Sequence, residues 1–227
     1  MLIAFEGLDQ SGKETQTRAL RAHLERTGRT VRTASFPDYD TPIGQEIRKA
    51  LAGERDFGAD VMQLLYIANR FEYKPRLDAW LAAGDVVICD RYQASSVAYG
   101  EAQGLDPGWL EEIQRHLPAP AVTVLLDIAP ETAVSRKATD RDRYERDLAL
   151  LARVRKSYRR QALKHRWVLV NAERSKDDVA AAVLAAVQPR LAPRSARARS
   201  PRRPPSAPVR THPSSRPSSS RRLSKRR

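Results

Sequence analysis

The segment Gly7-Leu8-Asp9-Gln10-Ser11-Gly12-Lys13-Glu14-Thr15 carries the spacing G-x-x-x-x-G-K directly after a short apolar run. Glycines at both ends let the backbone curl until successive N–H groups point inward, and a helix starting at the lysine adds its positive end. Such a loop is built to hold the β- and γ-phosphates of a nucleoside triphosphate, with Lys13 supplying a full charge. The next position departs from the pattern. A Ser or Thr hydroxyl serves Mg²⁺ there, and this chain has Glu14. Either Glu14 ligates Mg²⁺ itself, or Thr15 or another acid takes the role; without metal, its carboxylate repels phosphate.

Two more stretches have the residue types of phosphate chemistry. Asp90-Arg91 closes a later apolar run, an acid and a planar guanidinium where substrates are expected. Guanidinium donors match phosphate oxygens better than lysine does. Arg136 to Arg143 reads Arg-Lys-Ala-Thr-Asp-Arg-Asp-Arg, a charged run without an apolar stripe. It reads as a solvated face or as a mobile lid that brings cations over phosphates.

These residues need a scaffold. Apolar runs at Leu2–Phe5, Val31–Phe36, Val86–Cys89, Val122–Leu126 and Trp167–Val170 alternate with helical patterns. Several runs are continuous, as in parallel strands covered on both faces. Thr41-Pro42, Asp106-Pro107, Ala129-Pro130-Glu131 and Ser175 with Asp178 read as helix starts. Residues 60–83 read as one long helix or a broken pair. The order predicts an α/β fold of three layers, a central parallel sheet of about five strands flanked by helices. Ligands then belong at the carboxyl ends of the strands, just after Phe5, Phe36, Cys89 and Leu126.

With the phosphate loop, Phe36-Pro37-Asp38-Tyr39, Ala68-Asn69-Arg70, the run Asp90-Arg91-Tyr92-Gln93-Ala94-Ser95-Ser96-Val97-Ala98-Tyr99 and Asp142-Arg143-Tyr144-Glu145 make the chain resemble the thymidylate kinase family of P-loop nucleoside monophosphate kinases. The resemblance spans residues 1–191. It implies a dTMP kinase that transfers phosphoryl from ATP to dTMP for dTTP synthesis, with Mg²⁺ as cofactor and a homodimeric assembly. It implies that Gly7 to Thr15 bind ATP and that Lys13, Arg91, Asp9 and a lid cation are catalytic. Asp9 would accept from the sugar hydroxyl near the metal; an Asx-turn is its structural alternative. Arg70 would read the thymine edge, against an ion pair with Glu72 or Asp78. Tyr66 would stack on the base. Phe36, Tyr39, Ser95, Ser96 and Tyr99 would line the acceptor nucleotide, with packing roles as the alternative. Asp90 would hold Mg²⁺ or its water, joined by Asp9 and Asp142. Gln10 in place of a loop arginine points to a lid over about 136–145 carrying Lys137, Arg141 and Arg143, with Arg141 the first choice. Glu145 would contact the sugar side or charge a helix start.

The formal net charge of +14 concentrates at one end: twelve Lys or Arg and no acid lie between Pro193 and Arg227, leaving +2 for residues 1–192. A basic nucleic-acid-binding domain is thereby excluded for the body. The tail, 192–227, is rich in Pro, Ser and Arg and is expected to be disordered. It is dispensable or binds nucleic acid or an anionic membrane non-specifically. One cysteine, Cys89, excludes a disulfide framework and any Cys-cluster zinc site. No apolar run approaches the ~20 residues of a membrane span. The N-terminus lacks a basic signal segment, so a cytoplasmic protein is expected. The competing functions are a kinase for another nucleotide and a non-catalytic P-loop protein binding nucleic acid.

Overall fold

The computed structural model describes residues 1–136 and 147–191. The lid residues Lys137, Arg141, Asp142, Arg143 and Glu145, and the tail, lie outside the described residues.

Five strands, β1 (Leu2–Glu6), β2 (Val31–Ser35), β3 (Val86–Asp90), β4 (Val122–Asp127) and β5 (Val168–Asn171), form one parallel sheet in the order β2-β3-β1-β4-β5. Every pairing is parallel, with Ala4 opposite Cys89 on one side of β1 and Thr123 on the other. The expected strand cores are all present, displaced at their ends by one residue. Phe36, for instance, falls just past β2, where its N–H donates to the Asp90 carbonyl.

Burial follows position in the sheet. β1 is buried at all five positions, whereas β2, at the edge, is buried only at Val31 and Ala34. Around the sheet lie α1 (Lys13–Arg26), α2 (Pro42–Leu51), α3 (Ala59–Ala82), α4 (Gln93–Ala102), α5 (Pro107–Glu112), α6 (Pro130–Arg136), α7 (Leu148–His165) and α8 (Lys176–Leu191). The period of two along the strands sorts side chains between layers. Leu2, Ala4, Val87 and Cys89 join Leu77 of α3, while Ile3, Phe5, Val86 and Ile88 join Leu20 and Leu24 of α1 and Val179, Val183 and Val187 of α8. This is the three-layer arrangement the alternation of runs predicts.

The helix starts carry the expected caps. Thr41 Oγ1 accepts from the Gly44 N–H at 3.1 Å, Asp106 Oδ1 from Gly108 at 2.8 Å and Ser175 Oγ from Asp178 at 3.1 Å. The stretch left open between one helix and two is one helix, α3, with Pro75 inside it. Among the described residues no helix is long and apolar enough to cross a membrane.

Phe5 sits fully buried on the innermost strand. Phe5→Ala is expected to lower unfolding stability by about 3–5 kcal/mol through lost burial and the cavity left behind. Urea unfolding monitored by circular dichroism measures it.

Candidate active site

The phosphate loop joins β1 to α1. Gly7 has φ +143°, and a Cβ there would lie 2.5 Å from the Leu126 carbonyl oxygen and 2.8 Å from Ser11 Oγ. Gly7 is therefore required both by conformation and by the close approach of β4. Gln10 also adopts a positive φ, 62°, at the loop tip. The N–H of Gln16 donates to the Gly12 carbonyl, so α1 begins at the loop's end and aims its positive terminus into it. Lys13 is 6% exposed, and its Nζ donates to the carbonyls of Leu8 at 2.9 Å and Gly7 at 3.3 Å. Burial, and then the Arg91 charge, lower its pKa, against the carboxylates of Asp9, Asp90 and Glu6.

Glu14 points along the surface of α1. Its side chain is 82% exposed and lies 3.8 Å from Arg18. The loop, Asp90, Arg91, Arg136 and the start of α8 line a cleft of about 780 Å³. Arg136 spans the cleft edge, donating to the carbonyls of Gln10 at 3.1 Å and Ala172 at 2.9 Å.

A second cavity, of about 100 Å³, opens beside the cleft. Its walls include Asp9, Phe36, Tyr39, Tyr66, Arg70, Arg91, Ser95, Ser96 and Tyr99, so the structure gathers into one place the acceptor-side residues expected from the sequence, apart from Glu145, which lies outside the described residues. Arg91 links the two spaces. It leaves β3 with φ 63°, an uncommon left-handed conformation for a residue with a Cβ, and its N–H donates to the Phe5 carbonyl. Its Nη2 donates to Asp9 Oδ1 at 2.6 Å, and its Nη1 approaches Ser95 Oγ and Tyr158 Oη, each at 3.3 Å. The Tyr99 hydroxyl donates to Asp9 Oδ2 at 3.2 Å. Burial alone would raise the Asp9 pKa, but the charges of Arg91 and Lys13 and these hydrogen bonds hold it well below the usual carboxylate range. Asp9 thus faces an arginine and a tyrosine across the cleft, rather than closing an Asx-turn among the hydrogen bonds of the described residues.

Arg70 is not a solvated helix arginine. It is 3% exposed, its Nη1 donates to Ser96 Oγ at 2.7 Å and to Gln114 Oε1 at 3.3 Å, and its guanidinium lies 6.0 Å from the Phe36 ring centre. Glu72 and Asp78, the alternative partners, are engaged elsewhere, Glu72 by Ile43 and Asn69, Asp78 by Lys74.

Several residues that build the site were given no role by the sequence. Glu6, fully buried at the end of β1, accepts from the Tyr92 N–H at 2.9 Å, Ser95 Oγ at 2.6 Å and the Tyr158 hydroxyl at 3.2 Å. Burial raises its pKa, and the Ser95 hydrogen bond and the charges of Arg70 and Arg91 oppose the rise. Ser95 therefore lines the pocket with its hydroxyl already committed. Asn69, also fully buried, fastens the loop after β2 to α3. Its Oδ1 accepts from the Asp38 N–H at 2.8 Å, and its Nδ2 donates to the Asp38 carbonyl at 3.1 Å and Thr41 Oγ1 at 2.7 Å. An acid closing an apolar strand before a glycine loop was the available signal for Glu6; Tyr158, 152 residues away in sequence, had none.

A family model described as thymidylate kinase matches residues 5–183. The thymidylate kinase of Dictyostelium discoideum is 32% identical over 79% of this chain and 81% of its own length. That of Thermomicrobium roseum is 36% identical over 81% and 92%. The solved thymidylate kinase of Candida albicans superposes with a TM-score of 0.74 at 28% identity, covering 83% of this chain and 91% of that one. The chain belongs to the thymidylate kinase family. Its reaction is phosphoryl transfer from ATP to dTMP, giving dTDP and ADP. The thymidylate kinase fold accounts for the five-stranded parallel sheet flanked by helices.

Because the folded pKa of Asp9 is depressed, its unfolded form binds the proton first as pH falls. The stabilisation from Asp9 is complete above its unfolded value of 3.8 and is lost below it. Asp9→Asn should therefore lose less stability than the parent between pH 5 and pH 3, as thermal unfolding across that range would record.

Proposed function

We propose that the large cleft takes ATP on the Gly7–Thr15 loop, that the adjoining pocket takes dTMP, and that Arg91 clamps the acceptor phosphate between them. The observation that carries this reading is the place of Arg91, in the wall of both cavities and held by Asp9 and Tyr99. Lys13 exchanges its two carbonyl partners for the β- and γ-phosphate oxygens, and the loop N–H groups and the α1 terminus take the remaining charge. A dTMP phosphate oxygen attacks the γ-phosphorus, the bond from that phosphorus to the bridging oxygen breaks, and the electron pair leaves on ADP. The attacking phosphate monoester has a second pKa near 6 and is mostly dianionic at neutral pH, so no general base is needed. Catalysis then rests on positioning and charge. On the acceptor side, Tyr66 stacks on the base, Arg70 and Ser96 address its edge, Tyr99 and Phe36 bound the sugar, and Tyr39 lies toward the phosphate. Arg141 completes the phosphate clamp from the lid.

Mg²⁺ is the cofactor of this reading. Among the described residues no group of three acids, histidines or cysteines is gathered for a metal. None is required, since Mg²⁺ keeps several waters and takes one or two carboxylates together with substrate phosphates. Asp90 suits that role: it lines the cleft, half-buried, and its carboxylate has no hydrogen-bond or ion-pair partner among the described residues. Asp9 is the second choice. Held there, Mg²⁺ would supply positive charge that offsets the charge of the substrate phosphates. The outward course of Glu14 supports assigning the metal to Asp90 rather than to the loop carboxylate.

ADP formation from Mg-ATP with dTMP, dUMP, dCMP or no acceptor tests the reading. Turnover is expected to be highest with dTMP. Arg91→Lys should lower kcat/KM for dTMP by about 10²-fold or more, since one point charge replaces a fork that addresses several oxygens. A chain ending at Leu191 should keep activity within about two-fold, residues 1–191 forming the catalytic domain. Higher turnover with another acceptor would discard the base-site assignments. Folded protein that binds ATP without turnover would favour a binding role instead.

A homodimer is the assembly this reading expects. Val61 and Leu64 of α3 are large apolar side chains left 39% and 45% exposed on one helix, which supports pairing of that face between two copies. Light scattering on the full chain should give twice the chain mass, and a monomer at micromolar concentration would refute the pairing.

A further inference from the structure

In the proposed acceptor pocket, two buried polar atoms have no hydrogen-bond partner among the described residues. One is the oxygen of the Gln63 side chain, Oε1, and the other is Arg70 Nε. Gln63 is 1% exposed and brings the pocket its only side-chain amide among the described residues. It stands three residues before Tyr66 and seven before Arg70, so all three share one face of α3. A buried carbonyl oxygen without a donor is costly, and most such atoms in proteins are satisfied.

The opposite wall makes room for this amide. Gly100 lies inside α4, where glycine weakens a helix. A Cβ at that position would lie 3.2 Å from Gln63 Cγ and 2.4 Å from Leu110 Cδ1. The glycine thus admits the Gln63 side chain between α3 and α4, beside the pocket.

From this geometry we infer that Gln63 is a specificity-determining residue, accepting a hydrogen bond through Oε1 from the ring N3–H of a pyrimidine-2,4-dione. The inference rests on the proposed placement of dTMP in this pocket. The Watson–Crick edge of thymine reads acceptor, donor, acceptor. Arg70 and the Ser96 hydroxyl offer donors to the carbonyls, and Gln63 offers the acceptor that the N3–H needs. Cytosine carries a lone pair at N3 and an amine at C4, the reverse of this pattern, so it leaves Gln63 Oε1 unsatisfied and opposes its own amine to the arginine. Gln63 does not separate thymine from uracil, which share N3–H.

The test is steady-state kinetics of the full chain with saturating Mg-ATP and four acceptors, dTMP, dUMP, dCMP and N3-methyl-dTMP. The parent enzyme should use dTMP and dUMP in preference to dCMP and N3-methyl-dTMP. Gln63→Met, which keeps the length of the side chain and removes its hydrogen bonding, should lower kcat/KM for dTMP by about 10- to 100-fold, mainly through KM. It should also raise kcat/KM for N3-methyl-dTMP in absolute terms and leave the KM for ATP unchanged. A merely structural role would depress all four acceptors together and leave their ratios as in the parent, which overturns the inference. So does parent enzyme that uses N3-methyl-dTMP as well as dTMP, a result that needs no variant to fold. Parent enzyme that ignores dTMP yet phosphorylates another nucleotide refutes the placement of dTMP itself and is separable from both.

Discussion

A carboxylate buried at the end of the innermost strand constrains the rest of this site. Glu6 is removed from water, and a carboxyl group in that position is tolerated only if its oxygens are hydrogen-bonded. The Tyr92 backbone, Ser95 and Tyr158 engage them, drawing the turn after β3, the first turn of α4 and the middle of α7 onto the tip of β1. The same turn carries Arg91 in its left-handed conformation, and the Glu6 partners Ser95 and Tyr158 also meet the Arg91 guanidinium. One acid thereby sets the direction of the cation that stands between the two cavities. Breaking such a buried arrangement by removing one partner is expected to cost several kcal/mol, so the positioning is stiff.

Three cations around the two cavities are held out of water. Lys13, Arg70 and Arg91 are all largely withdrawn from solvent, and Asp9 is the counter-ion nearest Arg91. A cation held in a low-dielectric cleft acts on phosphate more strongly than the same cation in water. It also has little freedom left to lose when substrate arrives, which is the physical content of preorganisation. Asn69 performs the corresponding service without charge, tying the loop after β2 to α3 so that Phe36 and Tyr39 form one wall of the pocket.

The smaller cavity is bounded by α3 and α4, and the fit between them depends on small differences in side-chain size. Gly100 leaves the space into which Gln63 and Leu110 extend. The pocket itself is only about 100 Å³, close to the size of one heterocyclic base and sugar edge, so each polar atom in its wall matters to what is admitted.

Much of this protein is legible in its sequence because the deciding features are local. Glycine spacing, a lysine at a helix start, proline after a capping residue and continuous apolar runs are short-range consequences of backbone geometry and burial. They suffice for the five strands, the phosphate loop, the helix caps and, with the later motifs, the family. The identity of most residues around the smaller cavity was also legible, since the motif runs bring them, whereas Leu51 and Gln63 lie outside those runs. Tertiary structure alone decided what those residues do to one another. Ser95 and Ser96 are neighbours with equal chemistry, yet one is committed to Glu6 and the other receives Arg70, because α4 turns them toward different elements. Glu14 sits in the loop motif at the rim of the cleft, yet its side chain is largely in solvent beside Arg18, one helical turn further along α1. Glu6 and Gln63 are an acid and an amide among many, and their roles arise only when residues up to 152 positions away close around them and exclude water. Hydrogen-bond demand in a buried site is a property of the packed surroundings, and no local pattern records it.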